Sequence, residues 1–361
     1  MTVQGPHLPT QDSLRAWQKQ YMQSAVCDVR SDAVARKITL HLNRFITQFE
    51  AVYGHDRISI WVQRDVVRWQ QALEERGLAA ATINNYLASL SGFASWVHTQ
   101  SPQTFAMGDP TKGVGELPLP ALEPRALTER QIETLKNLCD RLDTFYRKKG
   151  RRWRKQLAAG ERPPLRANAR PQRDRAIVLV LLSTGLRREE LVQLNLDQLV
   201  PASAEQLRHA RRAKLERVQG KGKTERRVFL SVDARRTLAD YLQEERVQDI
   251  NSDLSPAQQP LFLSAANVRP RQANGRLSRR SINLILEQIG RWHDAEIRDP
   301  ERHISPLRPH DLRHTFAFQL SKATGADAYE LERRLGHRSQ RYIQRYTNPP
   351  EQVAAEFVES F

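Results

Sequence analysis

The chain has 361 residues, 39% of them hydrophobic, and a formal net charge of +16 at neutral pH, with an isoelectric point near 10.3. This length allows two domains with buried cores, and the apolar fraction excludes a wholly disordered chain. The surplus of Lys and Arg points to a polyanionic partner, because each neutralised phosphate releases condensed counterions.

The opening, Met1 to His7, lacks the apolar core of a signal peptide, so a cytoplasmic, nucleoid-associated location is expected. The first hundred residues read as helices. Ile38, Leu42, Phe45 and Phe49 recur at helical spacing, as do Val66, Trp69 and Leu73. A third stripe, Ile83, Leu87, Leu90, Ala94 and Val97, runs to a stop at Ser101-Pro102. These stripes are core. The polar faces between them carry Arg36, Lys37, Arg44, Asn84 and Asn85, which offer contacts to a phosphate backbone, with a solvated helix face as the alternative.

Pro110, Pro118, Pro120 and Pro124, with Gly113 and Gly115, describe an extended connector. The expected organisation is therefore a helical domain over 1–110, a Pro-rich linker over 111–126 and a second domain over 127–361. Thr128 and Gln131 form a capping-box signature that opens the second domain. A basic insert follows at about 147–172, including Arg151 and Arg152 around Trp153, and its like charges predict a solvated helix extension and a mobile loop. Ala176 to Leu182 is too short to span a bilayer and reads as a buried helix ending at Ser183-Thr184-Gly185. Segments 215–219 and 227–231 flank Gly220-Lys221-Gly222-Lys223-Thr224 as a β-hairpin. Helices are predicted over 234–246, over 278–289, and again from His310 onward, giving a mainly α chain with a small β-sheet, an α+β class. Cys27 and Cys139 supply neither a disulfide framework nor zinc spacing, and no metal or cofactor is expected.

Three segments carry chemistry. Thr184-Gly-Leu-Arg187-Arg-Glu-Glu190 puts an arginine in a helix's first turn, where backbone N–H groups favour an anion, with Glu190 placed to orient that arginine or a neighbouring histidine. Pro309-His310-Asp-Leu-Arg313-His314 sets His310 and Arg313 one turn apart on one face, with His314 off that face and expected to pack. Leu335-Gly-His337 is followed by two phenols, Tyr342 and Tyr346, on one helical face, and spacing does not choose between them. Together the chain supplies fixed cations, a mobile ammonium, imidazoles and a phenol, a set able to break a phosphodiester without a metal.

These segments, with Gly220-Lys-Gly-Lys-Thr-Glu-Arg226 between them, resemble the tyrosine recombinase family, the phage-type integrases. The resemblance extends more weakly over Ala81-Thr-Ile-Asn-Asn-Tyr-Leu-Ala-Ser-Leu90. It implies an N-terminal helical core-binding (SAM-like) domain and a C-terminal mixed catalytic domain of the DNA breaking–rejoining type. It also implies Tyr346 as nucleophile, Arg187 and Arg313 as phosphate clamps, Lys221 rather than Lys223 as general acid, His310 and His337 bonding the phosphate, and Glu190 as a supporting carboxylate. Lys223 remains a candidate DNA contact. A hydroxyl residue is usual in the family where Glu189 stands, and threonines where Tyr342 and Ile343 stand. The implied partner is double-stranded DNA at specific sites, bound by a homotetramer with no membrane involved; the tail 351–361, with Val353, Phe357 and Phe361, is a candidate docking helix. A type IB topoisomerase, using nearly the same groups as a monomer, and a non-cleaving DNA-binding accessory protein are the alternatives.

Overall fold

The computed structural model describes residues 12–119, 125–147, 161–220, 224–250, 254–255 and 257–336. The chain divides into two compact units between Leu122 and Glu123. Among the described residues no helix is long and apolar enough to cross a membrane.

The first unit is built from α1 (Leu14–Tyr21), α2 (Asp32–Tyr53), α3 (Gln63–Glu75) and α4 (Ala80–Gln100). The Ser13 hydroxyl caps α1, accepting from the Ala16 N–H and donating to Asp56. Leu42, Phe45, Ile46 and Phe49 of α2 face inward, and Phe45 lies 5.0 Å from the Trp61 ring and 5.1 Å from the Trp69 ring. These are the stripes predicted from spacing, closed by aromatic packing.

The stretch beyond Pro110 is non-helical, and its first part belongs to this unit. Gln63 donates to the Lys112 carbonyl, Val114 and Leu117 pack on the apolar core, and Asn84 holds both the N–H and the carbonyl of Leu117 at 2.9 Å. Asn84 is 7% exposed. It therefore does not belong to a DNA-facing surface: its amide saturates a backbone segment that has no ladder partner.

The second unit contains α5 (Glu129–Cys139), α6 (Leu142–Tyr146), α7 (Pro171–Thr184) and α8 (Arg188–Gln193). There follow β1 (Leu199–Val200), α9 (Ala204–His209), β2 (Ala213–Gln219), β3 (Glu225–Leu230) and α10 (Val232–Asp240). Helices α11 (Arg279–Glu296), α12 (Pro309–Ala323) and α13 (Ala328–Leu335) complete it. Helix α7 is buried on all sides from Ala176 to Leu182, with α10, α12 and β3 packed around it. Such a helix shows no amphipathic stripe because it has no solvent face.

The sheet has the order β1-β2-β3, antiparallel throughout. Its register shifts between Leu215 and Val218, with Arg217 at φ +50°. The extra residue moves the inward positions from Ala213 and Leu215 to Val218 and turns Arg217 out to pair with Asp197 at 2.5 Å.

Two helices differ in length from the sequence reading. The one predicted over 234–246 is α-helical only through Asp240. It then widens into a π turn over Tyr241–Glu245, where the buried Tyr241 hydroxyl accepts the Leu263 N–H at 3.0 Å. The one predicted to stop at Ile289 continues to Glu296, with Gly290 and His293 on its buried face. Two arginines at the ends of the basic insert are held by the fold, although Arg162 and Arg166 between them are exposed. Arg147 pairs with Asp143 at 2.9 Å and donates to the Pro163 carbonyl, while Arg170 is buried in a bidentate pair with Asp249 at 2.7 and 2.8 Å. Both cysteines are free, Cys27 exposed and Cys139 buried.

Candidate active site

The site begins where α7 ends. Gly185 closes that helix at φ +60°, and a side chain there would come within 2.4 Å of the Phe316 ring. Only glycine meets both conditions. The reversal buries Leu186 and delivers Arg187 to the edge of a cleft of about 600 Å³.

Arg187 is the residue before α8 rather than within its first turn. Glu190, one turn on, accepts the Arg187 backbone N–H through Oε2 at 2.8 Å and its guanidinium through Oε1 at 2.9 Å. Among the described residues, the side chain that Glu190 orients at this helix start is therefore Arg187. Arg187 Nη2 also donates to the Gly336 carbonyl at 3.1 Å.

Pro309 occupies the first turn of α12, and Asp311 accepts the Arg308 N–H at 2.8 Å, fixing where that helix starts. One turn inside lies Arg313, only 2% exposed. Its Nη1 donates to the Gly185 carbonyl at 2.6 Å and its Nη2 to the Leu335 carbonyl at 2.8 Å. The two arginines therefore interlock three motifs distant in sequence: the peptide before Arg187, the start of α12, and the Leu335-Gly336 step that precedes His337.

His310 stands exposed at the mouth of the same cleft, which is lined by Arg187, Arg188, Asn283, Arg308, His310 and Arg313 among others. Partial desolvation, followed by the charges of Arg313 and Arg187, holds the His310 imidazole below the ordinary histidine pKa. His314 is not off this face. It stacks on His310 with ring centroids 5.6 Å apart, as residues four apart on a helix do. Four arginines against the nearby Glu189 and Glu287 leave the cleft cationic. Among the described residues no group of three or more His, Cys, Asp or Glu is placed to hold a metal ion.

Sequence reasoning assigned no role to Arg226. From β3 it reaches Glu190 with both guanidinium ends, at 2.8 and 2.6 Å, while its Nε donates to the Arg334 carbonyl at 3.0 Å. Burial alone would push the Glu190 carboxyl up, but the hydrogen bonds and charge of Arg226, then those of Arg187, hold it below its usual value.

Of the other candidates, Arg36, Lys37, Arg44 and Asn85 are exposed on α2 and α4 of the first unit. Lys37 donates to Asn85 at 2.8 Å, and Arg44 bonds the Tyr86 hydroxyl with its guanidinium over that ring. Lys221, Lys223, His337, Tyr346, Arg151 and Arg152 lie outside the described residues.

Comparison with known proteins bears on the fold and the family. The solved structure of the Tn1549 transposon integrase, in complex with a circular intermediate DNA, superposes with a TM-score of 0.65 at 17% identity, over 97% of this chain and 100% of that one. XerH recombinase bound to its palindromic difH substrate gives a TM-score of 0.63 at 18% identity, over 95% of this chain and 82% of that one. These likenesses establish the fold. In sequence, tyrosine recombinase XerD of Xanthomonas campestris pv. campestris is 32% identical over 298 residues, covering 81% of this chain and 74% of that protein. Tyrosine recombinase XerC of Thermodesulfovibrio yellowstonii is 33% identical over 177 residues, 49% of this chain and 50% of that protein. Residues 157–352 match the model of the phage integrase family. With that match spanning more than half its length, the chain belongs to the phage integrase family, the tyrosine site-specific recombinases, and is by that membership an enzyme of DNA strand cutting and rejoining.

Proposed function

We propose that this protein recombines DNA at specific sites through a 3′-phosphotyrosyl intermediate on Tyr346. The Tyr346 oxygen, giving up its proton to an imidazole of the site, forms a bond to phosphorus as the bond to the 5′ oxygen breaks, and the Lys221 ammonium gives that leaving oxygen its proton. Attack by a 5′-hydroxyl from a partner strand reverses the step, so the covalent link conserves the bond energy. Arg187 and Arg313 hold the non-bridging oxygens while charge builds on phosphorus, with His310 and His337 bonding the same phosphate and assisting proton movement. A neutral imidazole suits His310, since beside two guanidiniums it serves as a hydrogen-bond donor without adding a third repelling charge.

The observation that supports this reading is the convergence of Arg187, His310 and Arg313 on one cationic cleft, with both arginines anchored to backbone carbonyls. Anchored cations stabilise a transition state without reorganising when charge appears. The same reading places Arg36, Lys37, Arg44 and Asn85 against the duplex backbone, gives Arg151, Arg152 and Lys223 further contacts to it, and has four copies assemble on DNA in the cytoplasm through the 351–361 tail.

The test is trapping on a nicked duplex whose short fragment bearing the freed 5′-hydroxyl diffuses away after cleavage. The wild-type protein should accumulate a DNA-linked adduct mapped to Tyr346. Tyr346→Phe should give none while binding the same duplex with unchanged affinity. An adduct on Tyr342, or binding without an adduct in the wild type, would overturn the assignment.

A further inference from the structure

Glu190 sits between two guanidiniums, and the division of its lone pairs is unequal. Arg226 takes both oxygens end-on, whereas Arg187 engages the carboxylate with Nη1 alone and turns Nη2 to the Gly336 carbonyl. The carboxylate is 5% exposed and ionised, so water does not compete for it. A buried carboxylate with one cation left would take that cation in the strongest geometry available, the bidentate fork. The cation left would be Arg187.

Arg226 is well placed to prevent this. Its guanidinium is held on a third side by the Arg334 carbonyl, and it lies against Gly336, where an added side chain would come within 3.1 Å of its Nη1. It is a fixed counter-charge on the strand rather than a mobile surface arginine. The local sum also matters: Arg187, Arg226 and Glu190 together carry one positive charge, and removal of Arg226 leaves the remaining pair neutral.

We propose that Arg226 is a positioning residue that acts through Glu190. By saturating that carboxylate it keeps Arg187 turned toward the scissile phosphate and undiminished in charge. The inference rests on the reading of Arg187 as a phosphate clamp.

The experiment measures single-turnover cleavage by the full-length protein, on a nicked duplex carrying the sequence it selects from a random pool. Arg226→Ala should slow cleavage on the order of ten- to a hundredfold, less than the hundred- to thousandfold typical of deleting a clamp outright. Adding Glu190→Gln to Arg226→Ala should restore part of that loss, because the neutral amide no longer draws Arg187 away. Arg226→Lys, which retains the charge, should fall between wild type and Arg226→Ala. A second duplex, with methylphosphonate at the scissile position, lacks the charge that Arg187 answers. On it Arg226→Ala and Arg187→Ala should both lose little relative to wild type.

If the double variant is no faster than Arg226→Ala, or if Arg226→Ala is equally impaired on both duplexes, Arg226 supports the fold only and the inference fails. If Arg187→Ala itself shows no preference for the neutral linkage, the clamp reading fails first and takes the inference with it.

Discussion

The two units bury different things. The first is closed by aromatic and aliphatic side chains: Trp61, Trp69, Phe45, Phe49 and Phe93 meet in one cluster, and its buried polar groups are few, such as His41, Asp65 and Asn84. The second buries arginines and carboxylates, among them Arg170, Arg173, Asp174, Glu190, Glu245, Arg246, Asp249 and Arg313. Burying charge rarely adds stability over an apolar replacement, because desolvation offsets the attraction. What it secures here is direction. Arg313 is aimed by the Gly185 and Leu335 carbonyls in a way no apolar contact could aim it. The contrast is between a unit packed for cohesion and one packed for orientation.

The strongest test of that contrast is Arg313→Ala. It should lower the rate of DNA cleavage by about a hundred- to a thousandfold while leaving DNA affinity within a few-fold, in single-turnover assays and gel shifts. A variant that melts cooperatively yet cleaves at the wild-type rate would show that the buried guanidinium serves the fold alone.

A smaller effect is expected at Glu245, which is buried and accepts the Gln172 and Arg173 N–H groups at the start of α7. Burial pushes its carboxyl up to about 7, against the donation from those N–H groups. The folded state therefore holds a proton that the unfolded state has already released, and stability falls as pH rises from the ordinary carboxyl range through about 7. Glu245→Gln should remove about 2–3 kcal/mol of that decline, read as a flatter melting temperature between about pH 5 and 8. An unchanged pH profile would place the titration elsewhere.

The smallest effect separates cohesion from DNA contact within the first unit. Asn84→Ala should cost about 1–3 kcal/mol of stability, by leaving the Leu117 N–H and carbonyl unpaired, and should leave the salt dependence of DNA binding unaltered. Lys37→Ala and Arg44→Ala should do the reverse, each lowering the slope of log affinity against log salt by about 1 with little change in melting. A salt slope that drops in Asn84→Ala would return that side chain to the DNA-facing surface.

Much of the architecture was legible in the chain because apolar spacing reports burial directly, as in the stripe from Ile83 to Val97 and the strands on either side of 220–224. Arg187, His310 and Arg313 were legible as a set only through the family resemblance of their motifs, since the glycine stop and the proline start beside them are weak signals alone. Other features were not, for physical reasons. Asn84 looks like any polar residue on a helix, since nothing near it announces that Leu117 needs a partner. Arg226 stood inside a quoted motif, but its partner Glu190 is 36 residues away and no local pattern links them. His314 was misplaced by weighing three-residue spacing and neglecting four, although both put side chains on one helical face. The helix predicted to end at Ile289 runs on to Glu296, because Gly290 and His293 continue its buried face without adding to the apolar stripe.

Gly185 shows how tightly such a site constrains its own sequence. One peptide unit terminates α7, yields its carbonyl to Arg313, and sets the direction from which Arg187 enters, while the Phe316 ring closes the space a side chain would need. Alanine at this position would not merely strain a turn. It would have to displace the Phe316 ring and, with it, the peptide that holds Arg313 and leads into Arg187. A single missing methyl group thus lies at the peptide on which the placement of both arginines depends.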